Sequence, residues 1–170
     1  MRKDLQDKLY ADYPEIFRQK DVPMNQTAMC WGICCGEGWY NILDNLCSCI
    51  QNHIDNKNAN IVYKKQKGEL PQDAPSFPQA EATQVKEKYG GLRFYTNYSD
   101  EFIDGLISMA EAMSYVTCEF CGNPGKPNDE GWVSTQCDPC RSQEEERRKK
   151  QLQEFKDSLT VKMKDVTVAP

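Results

Sequence analysis

Cys118-Glu-Phe-Cys121 and Cys137-Asp-Pro-Cys140, fifteen residues apart, decide how the last third of this 170-residue chain is built. Each C-x-x-C pair sets two sulfurs on one side of a tight turn, and the spacer is long enough for a hairpin that returns one pair to the other. Four thiolates gathered in this way are the donor set of a structural zinc site. Gly122 follows the first pair, as suits a knuckle whose amides turn toward the sulfurs where a side chain would clash. Pro124-Gly125 and Gly131 punctuate a short hairpin carrying Trp132 and Val133. The second pair opens a long helix, whose N-terminal amides favour anionic sulfur. Knuckle, hairpin and ligands on a first helical turn is the order of a treble-clef finger. A plain zinc ribbon, with its second pair on another knuckle, is the alternative, and four free thiols or a redox pair is the reading without metal. One structural Zn2+ is expected on Cys118, Cys121, Cys137 and Cys140, because four protein ligands leave no open position for water or substrate.

Saturated ligation argues against an active site at the finger, and no catalytic residue is assigned. A zinc deaminase needs a His-x-Glu motif and a Pro-Cys-x-x-Cys run. Here the lone His53 precedes Ile54-Asp55, and Pro139 falls inside the second pair. A His-Asn-His nuclease needs a histidine base near the finger, and no histidine follows residue 53.

The chain holds nine cysteines, an odd number, and its start shows no apolar stretch after the basic residues. Both facts favour thiols and metal in a reducing cytoplasm over a secreted disulfide framework. No apolar run approaches a membrane span. The formal net charge is −5. Four thiolates around one dication would add roughly −2 more. An acidic chain is a poor general binder of phosphates, so a protein partner is the expectation and nucleic acid the alternative.

Upstream, apolar spacing marks the elements. Leu5, Leu9 and Tyr10 predict a helix broken near Tyr13-Pro14, with a short turn carrying Ile16 and Phe17. Residues 29–40 combine glycines that permit tight turns with Trp31 and Trp39, which supply large surface to bury. Trp39, Ile42, Leu43, Leu46, Cys47, Ile50 and Ile54 form one helical stripe. Ile61-Val62-Tyr63 reads as a short strand, and the prolines at 71, 75 and 78 mark an extended connection. Residues 83–96 predict a β-hairpin turning at Gly90-Gly91, with Leu92 and Phe94 on one side and Arg93 and Tyr95 on the other. The helix that follows has its stripe on Phe102, Ile103, Leu106, Ile107, Ala110 and Met113. The last helix, about 138–159, is polar nearly all round, with only Leu152, Phe155 and Leu159 apolar.

These elements predict an α+β protein: amphipathic helices around a small β-hairpin or sheet, with a treble-clef-like finger and a long C-terminal helix. Its parts are an N-terminal helical part (1–63), a Pro-rich linker or loop (64–82), a hairpin plus helix (83–116), the finger with its helix (117–160) and a flexible tail (161–170). Two surfaces carry alternatives. Cys49 and His53 stand at i,i+4 on one helix, so with Cys30 and Cys35 they form a candidate second metal site. Buried thiols acting as small hydrophobes are the preferred reading. An enzyme built on that cysteine-rich region is the remotest alternative. Lys86, Lys88, Arg93 and Tyr95 interleave charge with aromatics, as on a single-strand-binding or partner-binding surface. Glu87 interrupts them, and solvated lysines on a half-buried hairpin explain them without function.

Three stretches together resemble a family of small proteins of bacteriophages and prophages. They are Met29-Cys-Trp-Gly with Gly36-Glu-Gly-Trp-Tyr40 and Leu46-Cys47; Val85-Lys-Glu-Lys-Tyr-Gly-Gly-Leu-Arg-Phe-Tyr95; and Thr117-Cys-Glu-Phe-Cys-Gly122 with Gly131-Trp132. The likeness spans most of residues 13–141 and does not extend to the C-terminal helix. It implies a phage gene product acting in bacterial cytoplasm and supplies no activity. The function expected is that of a non-enzymatic, zinc-held accessory protein binding a host macromolecule, a protein before a nucleic acid, to modify host metabolism or defence.

Overall fold

A computed structural model describes the backbone of residues 1–128, 131 and 133–166 and the side chains among them up to residue 157. The fold is α+β. The elements run α1 (Lys3–Asp12), β1 (Ile33–Cys34), α2 (Tyr40–Gln66), β2 (Ala82–Lys88), β3 (Gly91–Thr96), α3 (Glu101–Ser114), β4 (Lys126–Pro127), β5 (Thr135–Gln136) and α4 (Asp138–Val166). Two compact units are present, residues 1–136 and the helical unit from Cys137 onward.

In the first unit the hairpin β2–β3 is extended by β1, which runs parallel to β2 with Ile33 opposite Val85. The core lies between this sheet and the helices. Leu43, Ile50 and Ile54 of α2, Val85 and Leu92 of the sheet and Ile103 of α3 are fully buried there, beside Leu9, Ile16, Phe17 and Trp39. The α2 stripe is the one its spacing predicts. On α3, Ile103 and Ala110 are buried and Leu106 and Ile107 pack beside them, but Phe102 and Met113 are exposed, so the predicted stripe is wider than the face the core covers. Trp31 likewise departs from expectation: Trp39 is buried while Trp31 is 66% exposed.

Helix α2 runs 27 residues, through the segment read as a strand at 61–63. Val62 and Tyr63 are exposed on it, so β-branched content there reflects no sheet packing. The helix ends where Gly68 takes φ +72°; the Gly68 amide donates to Lys65 O at 3.1 Å and the Glu69 amide to Lys64 O at 2.9 Å. That pair of bonds closes a helix through a left-handed glycine, and Pro71 follows it. The proline-rich connection then runs back along α2. Asn58 accepts from the Phe77 amide at 2.7 Å and donates to Phe77 O at 3.4 Å, and Gln51 and Gln79 bond reciprocally. It is a strap rather than a free linker, and it ends on the buried Ala80.

The hairpin turns one residue earlier than its glycines suggest. Lys88 pairs with Gly91, and the two turn residues Tyr89 and Gly90 both have positive φ, 54° and 76°. Two left-handed residues match the strand twist of a two-residue hairpin. Gly91 serves another purpose: a Cβ there would stand 2.5 Å from the Tyr115 ring.

The second unit is α4. It continues through Val166, past the start of the tail expected at 161, and Trp132 and residues 167–170 lie outside the described residues. No described helix is long and apolar enough to cross a membrane.

Removing the Asn58 clamp in Asn58→Ala should cost about 1–2 kcal/mol, since it strips partners from a part-buried amide and carbonyl. Limited proteolysis should then cut within residues 69–79 faster than in the parent; identical digestion would show that the strap is held by other contacts.

Candidate metal centre

The sulfurs of Cys118, Cys121, Cys137 and Cys140 all lie within 4.8 Å of one another. A tetrahedron of metal–sulfur bonds of about 2.3 Å places sulfurs about 3.8 Å apart, so a small closure completes the site. Cys118 is buried and Cys121 exposed, with the other two between. The donor set suits a thiophilic ion held by four protein ligands. Chain order brings this about as the spacing predicts: a knuckle at Cys118–Gly122, the antiparallel pair β4–β5 with Pro127 opposite Thr135, then Cys140 in the first turn of α4. In the knuckle the Cys118 amide donates to Asn123 O at 2.7 Å and the Gly122 amide to Cys118 O at 2.9 Å, with Gly122 at φ +78°.

The knuckle is bolted to the N-terminal half of its unit. The Gly38 amide donates to Glu119 O at 2.8 Å, the Gly36 amide to Glu119 Oε1 at 2.8 Å, and Trp39 Nε1 to Thr117 O at 2.8 Å. Neither glycine has positive φ, so the requirement is space. A Cβ on Gly38 would overlap Cys118 O and Gly122 N and stand 2.8 Å from Cys121 N; one on Gly36 would overlap Glu119 O. Burial pushes the Glu119 carboxyl above its ordinary value, against the opposing pull of the Gly36 amide. From the other side, the Glu119 amide donates to Thr135 O at 2.9 Å, and Thr135 Oγ1 donates to Gly90 O at 2.6 Å.

Among the described residues, these four cysteines form the one group of three or more His, Cys, Asp or Glu side chains placed to share an ion. Cys30, Cys35, Cys49 and His53 are not brought together. Cys30 donates to Thr27 O at 3.3 Å. Cys35 is buried, and burial pushes its thiol up to about 12; Cys47, in the core, is raised as well. Such thiols stay protonated and are poor ligands or nucleophiles. Cys49 is exposed on α2. His53 Nε2 lies 2.8 Å from Asp100 Oδ2, and its ring stacks on Phe102 at 4.4 Å. Asp100 in turn caps α3 through the Ile103 amide at 2.9 Å, so His53 braces a helix start.

Of the hairpin candidates, Arg93 is internally satisfied. It pairs with Glu111 at 2.7 Å and donates to Tyr115 OH at 3.0 Å and Leu92 O at 2.9 Å. Lys86 lies over Tyr95 and Lys88 over Tyr89, so two cations and two rings remain at the hairpin surface. No protein-family model, curated protein or solved structure significantly matches this chain.

Gly38→Ala should destabilise by roughly 3 kcal/mol, the upper range for overpacking, because the overlapped atoms are backbone and cannot rotate away. Thermal melts and metal content measured together check this; a Tm within a degree of the parent would contradict it. Cys118→Ser should unfold the finger and lose the ion, a far larger effect than Cys47→Ser in the core.

Proposed function

We propose that this chain is a phage-encoded zinc protein that binds a host macromolecule in bacterial cytoplasm, a protein before a nucleic acid, to modulate host metabolism or defence. Zinc is the ion a cytoplasmic four-thiolate site of this spacing most readily selects, and its role is structural. One observation carries the binding role. Around the knuckle and α3 the protein leaves Phe102, Met109, Met113, Val116 and Phe120 between 44% and 63% exposed. Large apolar side chains left exposed along one helix and the segment that follows it are what an interaction surface offers. The phage origin rests on the three resembling stretches. A nucleic-acid reading keeps only Lys86 and Lys88 beside their tyrosines, since Arg93 is committed to Glu111 and Tyr115.

Native mass spectrometry should count one zinc ion per chain, lost on chelation together with the finger's melting transition. Two ions would reinstate a second site using Cys30, Cys35, Cys49 and His53. Affinity capture from bacterial lysate should recover a host protein that depends on zinc. Salt-sensitive retention on single-stranded DNA, abolished by Lys86→Glu with Lys88→Glu, would move the function to the nucleic-acid reading.

A further inference from the structure

The hairpin turn at Tyr89-Gly90 lies against the finger instead of standing in solvent. Gly90 and Gly91 are buried, and a Cβ on Gly90 would stand 3.1 Å from Val133 Cγ1 and 3.3 Å from Thr135 Oγ1. Thr135 is fully buried and joins the two parts. Its hydroxyl donates to Gly90 O at 2.6 Å, and its carbonyl accepts from the Glu119 amide of the knuckle at 2.9 Å. The turn needs such support, because Tyr89 stands at φ +54°, a left-handed conformation unfavourable for a residue with a side chain.

We propose that this turn is a metal-dependent element with Thr135 as its positioning residue, formed while Cys118, Cys121, Cys137 and Cys140 hold their ion and released when they lose it. The inference rests on the zinc reading above. What fixes Thr135 decides the matter. β5 pairs with β4 through two residues, Thr135 with Pro127 and Gln136 with Lys126. The Ser134 amide donates to Asn128 Oδ1 at 2.6 Å and the Asn128 amide to Ser134 O at 3.1 Å, closing the ribbon. A two-stranded ribbon is marginally stable at best in water, and this one is shorter than an ordinary strand pair. Metal ligands stand at both of its ends: Cys121 precedes β4 by five residues, and Cys137 follows Gln136 directly. An ion held by both cysteine pairs closes the loop of chain that carries the ribbon, and losing that tie gives the loop its freedom back. Gly90 O then loses the donor that meets it in a buried place, and Tyr89 is released from its left-handed conformation.

The consequence is a surface that follows the metal. Tyr89 is exposed, with Lys88 over its ring. Beside them a cleft of about 400 Å³ is lined by Lys86, Glu87, Lys88 and Tyr89 of the hairpin and by Gly131 and Val133 of the finger. Its lining comes from both parts, so it keeps its shape only while Thr135 joins them.

The test uses the full-length protein, zinc-loaded and chelator-stripped, with backbone relaxation measured by NMR. Stripping should lower the order parameters of Tyr89 and Gly90 from about 0.85 to below about 0.6, while residues 43–50 of α2 stay near about 0.85. Thr135→Val with its zinc bound should show the same mobile turn. Thr135→Ser, which keeps the hydroxyl, should show a rigid one. Coupling is reciprocal, so easing the turn must tighten the metal. Asparagine tolerates the left-handed position, and Tyr89→Asn should raise zinc affinity roughly two- to fivefold in chelator competition. With Thr135→Val also present, that gain should vanish. A turn that stays rigid in zinc-loaded Thr135→Val overturns the proposal, as does zinc affinity unchanged by Tyr89→Asn. So does loss of order in α2 together with the turn on stripping, because the opening is then global. A parent that retains no zinc fails the zinc reading and the proposal together; zinc retained, with a turn that stays rigid after stripping, fails the proposal alone.

Discussion

The backbones of Gly36 and Gly38 lie against the peptide groups of Cys118–Gly122 too closely for any side chain to stand between them. Three hydrogen bonds of 2.8 Å, from Gly36, Gly38 and the Trp39 indole, are made across that contact. Much of the first unit follows from it. Trp39 is carried into the core, α2 starts at Tyr40 directly after it, and the α2 stripe is thereby aimed at the sheet and α3. The knuckle, for its part, is not a freestanding loop. Its shape is set from one side by the glycines and from the other by Thr135, which also holds the hairpin turn at Gly90.

A metal ion at the four cysteines would therefore do more than close a small finger. Its knuckle ligands stand on backbone that two long-range contacts already constrain, so binding free energy at the sulfurs is linked to the packing of α2 and the sheet. Four cysteines would complete the ligation of such an ion within the protein, and the cysteines in the core, Cys35 and Cys47, are held protonated by burial. Several large apolar side chains on α3 and in the segment after it are left facing solvent.

Much of this was legible in residue spacing. The α2 stripe, the hairpin's inward Leu92 and Phe94 and the two C-x-x-C pairs are local patterns; the stripe and the hairpin residues are buried as their periods predict, and the four cysteines come together. Other features misled for identifiable reasons. Ile61-Val62-Tyr63 carries strand propensity, yet the helix runs on to a stop that the sequence also contained, Gly68 followed by Pro71. Gly90-Gly91 is a turn-like pair, but Gly91 is needed for the approach of Tyr115, and the turn moves back onto Tyr89. Arg93 looked available for a ligand and is consumed by Glu111 on a helix eighteen residues away in sequence.

The chain's own order of residues marked the four cysteines that could hold a metal ion, the apolar stripe of α2 and the class of fold, because those show as spacing along short stretches of chain. It could not reveal that Gly36 and Gly38 answer to a knuckle eighty residues later, that the proline-rich segment is strapped to α2, or that Phe102, Met109 and Met113 stay uncovered. Each of those depends on which distant surfaces meet and on the space left between them, and that space exists only once the helices and sheet have packed.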